Sequence, residues 1–194
     1  LFLLDDSPRD VVSVILPTRA DDGVLEVRMG YLKRREVVVG NLSYTPRHIV
    51  EQAFEMLNTP YGWGGANGQQ DCSQFVQEVF ATVGIHLPRN SSDQAQAGRM
   101  AGYFGPDDPG DEKKQAAVTQ AIPGVSLLHT KGHVMLYIGQ VAGRPYAIHD
   151  VWAYREPGGD ADTIRVINRV AVTDLLLGEG SRIGSLLHRL QSIR

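Results

Sequence analysis

The chain has 194 residues, 42% of them hydrophobic, with 19 Lys and Arg against 22 Asp and Glu and a formal net charge of -3. That supplies one well-packed core and a small accessory piece, not two full domains. No basic run exceeds Lys33-Arg34-Arg35, so there is no electrostatic footprint for nucleic acid, and the single cysteine, Cys72, excludes an internal disulfide framework and paired-cysteine zinc sites.

The opening Leu1-Phe2-Leu3-Leu4 gives way at once to Asp5-Asp6, too short for a signal peptide or a membrane span. A start at Leu rather than Met reads as a piece of a longer chain. From Val11 to Val39 β-branched runs alternate with turn signals. Strands are expected at 11–16, 24–29 and 37–39, as the end of a small β-barrel, with Lys33-Arg34-Arg35 on a solvated strand edge.

At Thr45-Pro46 the period changes. A capping Thr, a Pro at the first helical position, and Ile49, Val50, Ala53, Phe54 and Leu57 on one face predict a helix from about 46 to 58. The segment from Pro60 to Gly68 holds four glycines, but lacks the Gly-Lys-Ser/Thr ending and the G-x-G-x-x-G spacing of nucleotide-binding loops. Asp71 then precedes Phe75, Val76, Val79, Phe80 and Val83 at helical spacing, with Gly84 as the stop, so Cys72 falls in the first turn of a buried helix.

Met100 to Pro123 is polar and reads as a long loop with one short helical turn. Strands are expected at 126–128, 134–138, 146–148 and 163–167, and the apolar tail, 172–177 and 183–190, as one or two packing helices. Helices followed by an antiparallel sheet make an α+β fold.

A thiol attacks a carbonyl as thiolate, and a helix N-terminus lowers its pKa. Cys72 has that position. Its base must be one of six histidines. His48 and His188 suit surface or core-edge roles, and His86, between Ile85 and Leu87, a packing role. His133 follows Gly132 at the mouth of a strand, and His149, or Asp150 in reserve, ends a neighbouring one, where it can orient the base. A buried inert cysteine is the plain alternative.

The strings Tyr61-Gly62-Trp63-Gly64-Gly65, Asp71-Cys72-Ser73, Leu87-Pro88-Arg89-Asn90-Ser91-Ser92-Asp93-Gln94, Gly132-His133-Val134 and Ala147-Ile148-His149 occur in the order found in NlpC/P60 cell-wall peptidases, and the sequence resembles that family over roughly residues 60 to 150. The resemblance implies a papain-like fold over 45–194. It further implies catalytic Cys72, His133 and His149, and hydrolysis of peptidoglycan stem peptides, commonly between D-glutamate and a diamino acid. Tyr61, Asp71 and Ser73 would hold the stem, with Asp71 meeting a free amine or simply capping its helix. Arg89 and Ser91 would shape the cleft, or Arg89 serve as a structural donor.

No metal or cofactor is expected, the place of action is expected outside the cytoplasm, and nothing in the pattern reports an oligomeric state. Residues 1–44 resemble the end of an SH3-like wall-binding module. Gln74 stands where the family usually has Gly, and Pro123-Gly124-Val125-Ser126 where it has Pro-Gly-Asp. Two rival readings are an inactive wall-peptide binder, which slow iodoacetamide labelling at mildly acidic pH would expose, and a papain-like amidase or acyltransferase.

Overall fold

The computed structural model describes residues 3–5, 10–105 and 110–194. The expected features at Leu1, Phe2 and Asp6, and the part of the expected loop at 106–109, lie outside the described residues. The chain divides into two compact units, Leu1–Leu42 and Ser43–Arg194.

In the first unit three antiparallel strands lie in sequence order: β1 (Leu3–Asp5), β2 (Val11–Arg19) and β3 (Leu25–Lys33). The β2–β3 hairpin pairs Val11 with Lys33 through to Arg19 with Leu25, turning at 20–24 where Gly23 takes a positive φ. The strand expected at 37–39 is not formed. A 3-10 turn at Arg34–Glu36 ends the hairpin, and Val38 and Val39 are exposed with no strand beside them. The basic triplet is solvated at this strand end, with Lys33 and Arg35 near Glu36.

The second unit is a mixed helix-and-sheet fold. Helix α1 (Pro46–Glu55) starts with the Thr45 hydroxyl accepting from the His48 amide, and buries Ile49 and Ala53. It ends sooner than the apolar spacing suggests, and Phe54 is exposed. Helix α2 (Cys72–Ala81) buries Phe75, Val76, Val79 and Phe80, and α3 (Ser91–Gln94) is a single turn.

An antiparallel sheet follows: β4 (Gly102–Tyr103), β5 (Leu127–Thr130), β6 (His133–Val141), β7 (Arg144–Glu156), β8 (Thr163–Asp174) and β9 (Leu190–Ile193), in the order β4-β9-β5-β6-β7-β8. Helix α2 packs on β6 and β7. Their other face, with Met135, Tyr137 and Ala147, packs against Val118 of α4 (Asp111–Gln120) and against Leu175, Leu186, Leu187 and Leu190.

Two expectations need correction. The segment read as a loop contains β4 and the ten-residue α4. Only Lys114 and Val118 of that helix are buried, too few apolar positions to leave a periodic trace. The tail expected as helix is instead the end of β8, a run of turns, and β9. Gly178, Gly180 and Gly184 all take positive φ, a left-handed backbone that breaks helix, and the leucines are apolar because they fill the core.

At 123–126 the chain turns tightly into β5 on Gly124. Gly124 has φ +73 and donates to Tyr137 O at 2.7 Å, and a Cβ there would stand 2.7 Å from Pro46 O. Among the described residues no helix is long and apolar enough to cross a membrane.

Candidate active site

Cys72 is the first residue of α2. Asp71 caps the helix, its Oδ1 accepting from the Gln74 amide at 2.9 Å. Helical position does not leave the thiol activated. Burial pushes Cys72 up to about 11, and the carboxylates of Asp71 and Asp150 push the same way, against hydrogen bonds from the Val134 and Ser73 amides. The expectation of a lowered thiol pKa is therefore corrected: burial of the sulfur outweighs the amide hydrogen bonds that favour the thiolate.

The Val134 amide ties the sulfur to the start of β6, and Gly132 lines the same hollow as Cys72. His133, between these two, sits at the Cys72 end of the sheet. Its Nε2 lies 2.7 Å from His149 Nδ1, and His149 Nε2 lies 2.9 Å from Thr173 Oγ1. Among the described residues no hydrogen bond involves His133 Nδ1. Hydrogen bonds between nucleophile and base commonly tighten only when substrate is bound. Burial pushes His133 down to about 4, with Arg189 and His129 adding to it, and burial also holds His149 well below the usual histidine range. The resting groups are a neutral thiol and neutral imidazoles.

Alternation along β7 separates the two candidate partners of the base. His149 shares the face of Ala147, whereas Asp150 shares that of Ile148. Both Asp150 oxygens are buried and make no hydrogen bond among the described residues, and its charge acts on Cys72 and Tyr61 rather than on His133. Burial, then Asp71, raise Asp150 to about 7.

The cleft beside Cys72 has a volume of about 490 Å³ and is lined by Tyr61, Asp71, Ser73, Arg89 and Ser91, so the five residues singled out for substrate border one hollow. Burial pushes Tyr61 up to about 12, so its hydroxyl stays protonated. Arg89 grips Asp71 with two prongs, Nη1 to Oδ1 and Nη2 to Oδ2, both at 2.9 Å, and donates to Ser73 Oγ at 3.0 Å. Asp71 is thus cap and ion-pair partner at once, and burial opposes but does not overcome the Arg89 and backbone bonds that hold its pKa low. Gln74 joins the grip, accepting from Arg89 at 3.3 Å.

Two side chains carry parts of this arrangement that the sequence reading assigned to nobody. Gln94, fully buried, donates to Ser73 O and Pro88 O at 2.8 Å each and so fastens the Arg89 segment to α2. Thr173 ends the histidine row. The remaining histidines stand apart: His48 bonds Ser43 O, His86 is exposed rather than packed, and His188, in a turn rather than a helix, pairs with Asp111 at the start of α4. Among the described residues no group of three His, Cys, Asp or Glu could hold a metal.

The NlpC/P60 family profile matches residues 58–151. The chain is similar to the gamma-D-glutamyl-L-lysine dipeptidyl-peptidase of Bacillus subtilis, 38% identical over 64 residues, 32% of this chain and 22% of that protein. It is also similar to peptidoglycan endopeptidase RipB of Mycobacterium tuberculosis, 30% identical over 113 residues, 51% of this chain and 42% of that protein. The chain spans less than half the length of these relatives. An NlpC/P60 endopeptidase from Photobacterium damselae subsp. piscicida superposes with a TM-score of 0.63 at 21% identity, over 93% of this chain and 43% of that one. An NlpC/P60 family protein from Bacillus cereus gives 0.61 at 17%, over 100% and 52%. At these identities the likeness is one of fold.

Proposed function

This chain carries an NlpC/P60 family domain over residues 58–151, and we propose that it is a cysteine endopeptidase of peptidoglycan stem peptides, cutting the γ-D-glutamyl–diamino acid bond with Cys72 as nucleophile, His133 as base and His149 as the group that positions the base. The observation that carries the reading is the row His133–His149–Thr173, starting beside the amide that bonds the Cys72 sulfur.

With the thiol near 11 and the imidazole near 4, a preformed ion pair is uphill, so the proton leaves as the sulfur attacks. His133 Nδ1 takes it while the Sγ–C bond forms at the γ-glutamyl carbonyl. The first amides of α2 face the developing oxyanion. The C–N bond then breaks, and His133 passes its proton to the leaving amine. Water, deprotonated by the same imidazole, attacks the thioester, releasing the γ-glutamyl acid and restoring the thiol.

In this proposal Tyr61, Ser73, Arg89 and Ser91 hold the stem. Asp71, already paired to Arg89, offers its charge to an N-terminal ammonium only as part of that pair. The three-stranded unit is proposed as the end of an SH3-like module before a catalytic domain of papain-like fold, and the place of action as the cell envelope outside the cytoplasm.

The rival, an inactive wall-peptide binder, is favoured by the raised thiol. Slow iodoacetamide labelling at mildly acidic pH does not separate the two, because a general-base mechanism also begins from a protonated thiol. The deciding experiment is mass spectrometry of L-Ala-γ-D-Glu-diaminopimelate incubated with the parent and with Cys72→Ala. Free diaminopimelate from the parent alone supports the peptidase, and none from either supports the binder.

A further inference from the structure

A second hollow, of about 700 Å³, shares Ser92 with the Cys72 cleft, and its wall is basic. Lys114, Arg189 and Arg194 line it together with His129 and His188. Lys114 is buried, held by donation to His188 O and lying 5.9 Å from the centroid of the Phe104 ring. Arg189 is half-buried. Its only side-chain hydrogen bond among the described residues runs from Nε to Ser185 O at 3.4 Å, so the two Nη groups of its fork have no partner among those residues.

His129 is 9% exposed, with Nε2 buried and unpartnered. No ion pair joins Lys114, Arg189 or Arg194 to a described carboxylate, while Asp111 is engaged with His188 at 3.2 Å. Two residues of its wall, Arg189 and His129, carry charge that opposes protonation of His133, and His129 lies on β5, the strand paired with the His133 strand.

We infer that this cavity receives the amino acid released by cleavage and binds a carboxylate that it carries. The inference rests on the peptidase reading. With the γ-glutamyl part in the Tyr61–Asp71–Ser73 hollow, the leaving amine lies towards His133, and what hangs from it meets Arg189 and His129. Cations in a half-closed hollow with no counter-ion among the described residues, beside a ring nitrogen without a partner there, match an anionic group, and an arginine fork matches a carboxylate in shape. A diamino acid can present that group from its α-carbon or from its side chain.

The test is kcat/KM on L-Ala-γ-D-Glu-X tripeptides, with X as diaminopimelate, its α-carboxamide, its side-chain carboxamide, or lysine, for the parent, Arg189→Gln and Arg189→Lys. The parent is expected to lose about tenfold or more when the recognised carboxylate is masked, and the two carboxamides tell which one that is. The preference shrinks in Arg189→Gln and partly returns in Arg189→Lys. A ratio between substrates does not depend on the fraction of protein folded, so poor folding cannot imitate this result.

Equal rates on all four peptides, or an undiminished preference in Arg189→Gln, overturns the proposal. If the parent cleaves nothing, the peptidase reading has failed instead, and calorimetry with the same peptides takes over. Carboxylate-dependent affinity that Arg189→Gln removes sustains the cavity, and equal affinities overturn it.

Discussion

His133 Nε2 and His149 Nδ1 lie 2.7 Å apart and, both rings being neutral, share a single hydrogen. Which ring owns it is decided at the far end of the row. If His149 keeps its proton on Nε2 and donates it to Thr173 Oγ1, its Nδ1 accepts from His133, and His133 Nδ1 retains the lone pair a base requires. The opposite tautomer would leave His133 with a proton where the thiol's should go.

From this row we predict that His149→Ala lowers kcat about 100-fold, while His149→Asn, whose amide oxygen can still accept, loses only about tenfold. Thr173→Val should cost less than His149→Ala, about threefold to tenfold, with KM nearly unchanged. Steady-state kinetics on a stem tripeptide checks the order. A Thr173→Val enzyme as fast as the parent would remove the hydroxyl from the argument.

The pH profile follows from the base. As the proposed base His133 must be neutral to work, and its pKa is pushed down to about 4, so kcat/KM should stay level through mildly acidic pH and fall only as pH drops through about 4. In the absence of substrate, iodoacetamide labelling of Cys72 should be slow at pH 7 and rise about tenfold per pH unit as the thiol begins to ionise, levelling near 11. A labelling midpoint near 7 would refute the neutral resting pair.

Asp150 gives a stability prediction. Its folded pKa of about 7 lies above the unfolded value near 3.8, so the folded state binds its proton more tightly. That contribution is fully present below about pH 4 and is lost as pH rises to about 7, on the order of 2–4 kcal/mol. Asp150→Asn, which cannot ionise, should therefore be more stable than the parent at pH 8, with the gap closing towards pH 4. Urea unfolding at the two pH values measures it.

Gln94 is expected to matter for stability and, through Arg89, for the cleft. Gln94→Ala strips Ser73 O and Pro88 O of a buried donor and should cost about 2–3 kcal/mol. Arg89→Met should cost less, about 1 kcal/mol, because the Arg89 side chain is 39% exposed. The Arg89 loss should fade as pH falls through the lowered pKa of Asp71, below the ordinary aspartate range, where the carboxyl is neutral in either protein. Urea titrations of both variants, with the second repeated at low pH, decide this.

What the sequence disclosed about the site was local. Asp71 as cap and Phe75, Val76, Val79 and Phe80 at helical spacing put Cys72 at the first position of α2, because capping and periodicity act within a few residues. Thr173 is 24 positions from His149, and Gln94 is 21 from Ser73, so only strand register and loop closure bring them together. The misread tail has the same origin. Leu175, Leu186, Leu187 and Leu190 are spaced like a helix face, yet Leu187 N bonds Leu175 O and Leu186 N bonds Leu177 O across a glycine-rich turn. α4 escaped for the opposite reason, since a helix that buries little has little pattern to show.

The position of β9 bears on the order in which the fold can form. Residues 190–193 insert between β4 and β5, so β5, the neighbour of the strand that begins with His133, stays open on one side until β9 has paired with it. Helix α2 and its cysteine can form early from contacts close in sequence, but the sheet that presents the base closes last, through a pairing of long sequence separation. Cys72 can thus stand in place on its helix while the sheet that carries His133 is still unfinished, and that sheet is complete only once β9 is seated.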